Sequence, residues 1–270
     1  MAVTEFQRLV CQIIAQDRIS VGNSYVAGGT DLNLLLDSPR VSRDIDIFHD
    51  TEDAVQNAWD ADRLVLEKHG YGIRVIRERQ SFVEAVIEKG GESVLLEWTR
   101  DSAFRFFPLV EHGDLGLTLH PFDLATNKVL ALAGRLEPRD WIDVISCHEK
   151  LQHLGYLLWA ACGKDPGFSP ASLLEAASRG GRYSAPEIQQ LAFEGSSPDP
   201  AELNRTWHSM LTEAGQIIDL LPEEKAGWCV LGRDGNLLNK PPDQLDNVLE
   251  SSNVHFHEGC LYGAFPQIKK

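Results

Sequence analysis

Apolar positions recur along this chain with two different periods, and the character of the chain changes near residue 120. The first 22 residues read as an amphipathic helix with Phe6, Leu9, Val10, Ile13 and Ile14 on one face. "YVAGG" then predicts a short strand entering a glycine turn, and "TDLNLLLD" one or two helical turns ending before Pro39. "RDIDIF" alternates charged and apolar residues at period two, as a half-buried strand does. "DAVQNAWDADRLVLEKHG" predicts an amphipathic helix stopped by Gly70. Strand-like "YGIRVIRE", a second segment around "SFVEAVIEK", the turn "GGE" and the strand "SVLLEWT" follow. This order predicts a small sheet domain over about residues 1–119.

From Pro121 the pattern is helical: "FDLATNKVLALAGR", "PRDWIDVISCHEKLQHLGYLLWAACG", "SPASLLEAAS", "SAPEIQQLAF" and "PAELNRTWHSMLTEAGQIIDLL". Pro138 falls where a helix first turn accepts proline. The helical domain runs over 120–221, and 222–270 forms a tail with one hairpin, "GWCVLGRDGNLLN", turning on Asp234 and Gly235. The expected class is α+β, a mixed-sheet domain followed by a mostly helical one.

Composition narrows the partners more than the fold. With 270 residues, 43% of them hydrophobic and 24% charged, the chain can bury a substantial core. It lacks an apolar run of the roughly 20 residues that span a bilayer, and its start has no basic-then-apolar leader pattern. A cytoplasmic protein without membrane contact is the expectation. Five scattered cysteines (Cys11, Cys147, Cys162, Cys229, Cys260) form no CxxC and suit a reducing compartment, as small core residues. A formal charge of −15 argues against non-specific duplex binding. It fits metal-bound phosphates, or a basic protein partner, better.

The chemistry concentrates in "YVAGGTDLNLLLDSPRVSRDIDIFHD". Asp44 and Asp46 lie two apart on a predicted strand, so both carboxylates leave the same face. Such a pair needs a nearby cation, and magnesium favours carboxylate oxygens together with phosphates. Taken alone, a DxD is as well read as one solvated face of a strand. Gly28 and Gly29 let the backbone turn sharply beside a phosphate, Thr30 adds a hydroxyl, and the following helix start offers free N–H groups. A plain strand-to-helix turn is the bland alternative.

In combination these features match the active-site layout of the nucleotidyltransferase fold related to polymerase beta. That layout expects a third carboxylate on a neighbouring strand, and "SVLLEWT" supplies Glu97. "FDLATNKVLALAGRLEPRDWIDV" further resembles the AbiEii/AbiGii-type nucleotidyltransferase toxins, in which a helix bearing lysine and arginine precedes an "RD..D" helix. The resemblance covers about residues 25–145 and departs from the wider fold in having glutamate as third acid.

The resemblance implies transfer of a nucleoside monophosphate from a triphosphate to an acceptor hydroxyl, on an RNA end such as tRNA or on a protein. Magnesium or manganese would be held by Asp44, Asp46 and Glu97. Gly28, Gly29, Thr30, Arg43, Lys128, Arg135 and Arg139 would meet the nucleotide, and Asp143 or Asp140 would help activate the acceptor. Lys128 and Arg135, two helical turns apart, share a face, which suits that role. A cognate antitoxin is the implied protein partner. Rival readings are a non-catalytic nucleotide- or partner-binding module, and an adenylyltransferase for a small antibiotic-type molecule.

Three other motifs carry less. His148 and His153 of "HEKLQH" stand five apart, a spacing that on one helix turns them away from each other and disfavours zinc. "HFHEGC" could offer a metal His255, His257 and Cys260 but reads better as an exposed tail loop, and "CGKDP" lacks the spaced glycines of a P-loop.

Overall fold

The computed structural model describes residues 3–181, 183–251 and 253–268. Its contacts divide the chain into two units: residues up to Ala103 with Leu109–His120, and Phe104–Pro108 with the chain from Pro121 on.

The first unit runs α1 (Glu5–Val21), β1 (Ser24–Ala27), α2 (Gly28–Leu35), β2 (Arg40–Val41), β3 (Asp44–His49) and α3 (Glu52–Lys68). Three long strands follow: β4 (Gly72–Arg79), β5 (Phe82–Lys89) and β6 (Glu92–Arg100). The chain leaves for the second unit as β7 (Phe104–Arg105) and returns for β8 (Val110–His112) and β9 (Gly116–Thr118). Seven of these strands make one mixed sheet, ordered β4-β5-β6-β3-β1-β9-β8. The period-two alternation explains its two faces. Ile45, Ile47, Val83, Ala85, Ile87, Val94, Leu96 and Trp98 enter one core with Phe6, Val10, Ile14, Val55, Trp59 and Leu66 from the helices. Leu9, expected on the buried face of α1, is 44% exposed.

Polar chemistry locks the two helices over that core. Arg18 Nη2 donates to Asp62 Oδ2 at 2.7 Å, and Trp98 Nε1 donates to the same oxygen at 2.7 Å. All three side chains are buried. Thr4 caps α1 in a reciprocal box with Gln7, and Thr51 caps α3.

The second unit continues with α4 (Pro121–Arg135), α5 (Pro138–Lys150), α6 (Leu154–Ala161), α7 (Pro170–Ser178) and α8 (Ala185–Gln189). After β10 (Ala192–Phe193) come α9 (Pro200–Leu220), β11 (Cys229–Gly232), α10 (Pro242–Glu250), β12 (Val254–His257) and β13 (Cys260–Leu261). Pro138 occupies the first turn of α5, where its missing N–H costs nothing. The residues after Pro222 join this unit's core: Val230, Leu238 and Leu245 pack with Tyr156, Trp159 and Ile217. The turn at Asp234–Gly235 forms, with Gly235 at φ +84°. Its return arm is a single bridge, Leu231 to Leu237, and the strand partner of β11 is β12. Among the described residues no helix is long and apolar enough to cross a membrane.

Candidate active site

β3 alternates half-buried and buried residues, which leaves Asp44, Asp46 and Phe48 on the face opposite the core. β6 runs parallel to it, with Asp46 in register with Glu97 and Asp44 with Leu95. β5 is antiparallel to β6 and sets Glu84 in register with Glu97. Asp46, Glu97 and Glu84 therefore form a lateral row of carboxylates across three strands, with Asp44 one step along β3. Glu84 was not anticipated, although the alternation of "FVEAVIEK" places it opposite Val83 and Ala85.

The glycine turn lies directly against this row. β1 pairs antiparallel with β3 so that Ala27 faces Asp46, and α2 begins at the next residue. Gly28 has φ +78°, and a β-carbon there would overlap the Asp46 carboxylate. Only glycine suits this position, on both conformational and steric grounds. The residue before α2, Ala27, has no side chain able to cap the helix, so the first N–H groups of α2 are not capped from the N-cap position.

Two residues of the turn behave differently from the sequence reading. Thr30 is fully buried, and its hydroxyl donates to the Asp44 carbonyl at 2.5 Å. That bond ties α2 to β3 and takes the hydroxyl away from any phosphate. Arg43 is exposed, whereas buried Arg40 is the arginine that reaches the glycines. A β-carbon on Gly29 would stand 2.5 Å from Arg40 Nη2. Sequence spacing could not choose between the two arginines, because the reversal at Pro39 sets which one turns inward.

The lysine and "RD..D" residues come together within the second unit as a buried ion network. Lys128 Nζ lies 3.3 Å from Asp140 Oδ1 and 3.0 Å from Asp143 Oδ2. Arg135 donates to both oxygens of Asp140, at 2.5 and 2.9 Å. Asp140 and Asp143 are fully buried, and Lys128 is 7% exposed. Burial pushes the Asp140 carboxyl up, but the Arg135 hydrogen bonds and the charges of Lys128 and Arg135 outweigh it and hold the group below its usual range. Lys128 is thus committed to two carboxylates instead of standing ready for a triphosphate. Asp140, clamped by two cations and closed to solvent, is a poor proton acceptor and holds α4 against α5. Arg139 is partly buried, with no hydrogen-bond partner for its Nε among the described residues.

The remaining motifs also change meaning. α5 stops at Lys150 and α6 starts at Leu154, so His148 and His153 do not share a helix. Their rings meet edge to face at 5.0 Å, beside Glu213, which pairs with His153. This corrects the expectation that the spacing separates them. Nδ1 of His148 accepts the Leu154 amide at 3.0 Å, which leaves the proton on Nε2 and no free lone pair on the neutral ring. The trio reads as a helix corner, not a zinc site. "HFHEGC" is not an exposed loop: His257 is buried on β12, with Nε2 2.8 Å from the Phe106 carbonyl. Lys164 of "CGKDP" is held by Asp123 and Asn127. Four cysteines are buried and reduced, and Cys260 is exposed.

No protein-family profile matches this chain, and no curated protein does. Solved structures do. JHP933 from Helicobacter pylori superposes with a TM-score of 0.52 at 15% identity, over 80% of this chain and 95% of that one. A Helicobacter pylori protein provisionally described as a nucleotidyltransferase gives 0.50 at 15% identity, over 80% and 98%. MenT4, a nucleotidyltransferase toxin from Mycobacterium tuberculosis, gives 0.49 at 15% identity, over 80% and 85%. The first two share this chain's fold.

Proposed function

We propose that the chain is a metal-dependent nucleotidyltransferase that moves a nucleoside monophosphate from a triphosphate to an acceptor hydroxyl. The observation that carries this reading is the register of Asp46 with Glu97, beside Asp44 and hard against the Gly28 turn. Like charges so arranged are unfavourable without a cation. The donor set is entirely carboxylate oxygen and half-exposed, which suits magnesium or manganese and not a softer metal.

Asp44, Asp46 and Glu97 would hold the metal. Bound there, such an ion supplies charge stabilisation at the phosphate and acidifies the acceptor hydroxyl. The amides at the start of α2 and the Arg40 guanidinium beside Gly29 would receive the anionic tail of the nucleotide. Gly28 keeps the backbone close enough for that approach. The acid row fixes where the reacting phosphate lies, so the protein's part is positioning and charge compensation more than proton transfer. The resemblance to the AbiEii-type toxins extends the reading to an RNA or protein acceptor and to a cognate antitoxin.

The test is incubation with each α-labelled nucleoside triphosphate, magnesium or manganese, and total tRNA or cell extract. Label should enter a macromolecule, and Asp44→Ala/Asp46→Ala should abolish the transfer. Metal-dependent nucleotide binding with no transfer to any acceptor would favour the non-catalytic binding module instead.

A further inference from the structure

The acid row does not end at Glu84. In the antiparallel pairing of β5 with the edge strand β4, Glu84 stands opposite Arg77, Val86 opposite Arg74 and Phe82 opposite Arg79. Strict alternation would send Arg74 to one face of β4 and Arg77 and Arg79 to the other. A register shift between Val75 and Arg77 prevents this, leaving Ile76 as the extra residue of a bulge. As a result all three arginines emerge on the face that carries Asp44, Asp46, Glu97 and Glu84. Glu78, opposite the buried Val83, goes to the other face.

Edge protection accounts for charge on an outer strand. It does not account for a single sign on a single face, still less in a chain of net charge −15. All three arginines are exposed, and none has a salt bridge among the described residues. Arg77 lies over the ring of Phe82 at 5.5 Å, and Phe82 is half-buried on the same face. Guanidinium groups beside an aromatic ring are the chemistry that receives phosphates and stacks bases. Arg77 is three strands from Asp46, about 14 Å at the usual strand spacing. That is a few nucleotides of an extended strand.

We infer that the bulge-aligned face of β4, Arg74, Arg77 and Arg79 with Phe82, binds single-stranded RNA whose terminal hydroxyl is presented to the Asp46–Glu97 row. The inference rests on the transferase reading and adds the surface that would select the acceptor. It also resolves the charge problem: affinity comes from a local basic strip next to the acids, not from the net field.

The test measures RNA and nucleotide separately. Fluorescence anisotropy with a labelled 12-nucleotide single-stranded RNA is followed as a function of salt. Magnesium-dependent triphosphate binding is followed on the same preparations by calorimetry. Arg74→Gln/Arg77→Gln/Arg79→Gln should weaken RNA binding at least tenfold at fixed salt. It should also lower the slope of log K against log salt by about two, at about 0.7 for each phosphate no longer neutralised. Nucleotide affinity and melting temperature should stay at wild-type values, because the side chains are exposed. The corresponding triple lysine variant should restore most of the slope.

A glutamine variant that binds RNA as the wild type does would overturn the inference. So would wild-type protein that binds nucleotide but not RNA, an outcome that leaves the transferase reading intact with a protein acceptor. Loss of nucleotide binding in the wild type would instead strike the transferase reading itself.

Discussion

Gly28 and Asp46 occupy adjoining space so tightly that the carboxylate of one fills the volume a side chain would need on the other. Gly28 also sits at φ +78°, where an L-residue is strained by roughly 1–2 kcal/mol. Gly28→Ala should therefore displace Asp46 from the acid row. Transfer should drop by about 10²-fold or more, the scale on which ångström misplacements act. The melting temperature should fall by several degrees while the protein stays folded at assay temperature. Steady-state label transfer compared with thermal melts separates the two, and wild-type kcat in the alanine variant would dissociate the glycine from the site.

The Lys128 network makes a different prediction, one of stability. Removing the amine strands Asp140 and Asp143, both fully buried, without one of their cations. Lys128→Met should cost about 3–5 kcal/mol, the usual penalty for breaking a buried pair from one side. Asp143→Asn in the same background should recover part of it. Urea denaturation without any nucleotide is the measurement. A Lys128→Met protein as stable as wild type, but slow in transfer, would return the lysine to a role at the nucleotide.

Acid sensitivity should begin well above the carboxylate range. Burial, aided by the Arg18 charge, lowers the His49 ring to about 3, and its nitrogens face Ser24 Oγ and the Thr99 carbonyl. Burial, with His153 beside it, lowers His148 to about 4. Both rings fold neutral while the unfolded chain takes up protons below about pH 6.5. The contribution of these rings is thus intact above pH 6.5 and is lost as pH falls toward 4 and 3. The difference in denaturation midpoint between wild type and His49→Gln should be constant from pH 7 to 8 and change only below 6.5, where His49→Gln should lose less stability than wild type.

Much of the first unit was legible because its signals are local. The period-two strands set which residues face the core, and "AGG" before a helix marks the turn. The parallel register that brings Glu97 beside Asp46 was reachable only through the resemblance, since nothing in a lone strand says which strand it joins. The partners of residues that reach distant groups were not legible. Thr30 turned inward to the Asp44 carbonyl, and Lys128 found two aspartates one helix away. The three arginines of β4 escaped notice because a bulge breaks the alternation that sequence reading assumes. His148 and His153 were misread for a related reason: their spacing has meaning only if one helix carries both, and Leu151–His153 interrupt it.

Asp31 provides the last test, and it runs opposite to the usual effect of a substitution. Its side chain is fully buried in α2, and neither carboxyl oxygen has a hydrogen-bond partner among the described residues. Burial raises this carboxyl well above its ordinary value, so the folded chain retains a proton that the unfolded chain has released. The sign follows: stability is greatest below the unfolded pKa near 3.8 and falls as pH rises toward the folded one. Each pH unit in that window costs about 1.4 kcal/mol. Asp31→Asn keeps the shape and needs no proton, so it should stabilise the fold, and by more at pH 8 than at pH 5. Paired urea melts at several pH values measure the difference directly. A gap that stays constant with pH would mean that Asp31 is ionised in the folded protein, held by a counter-charge at the base of the glycine turn.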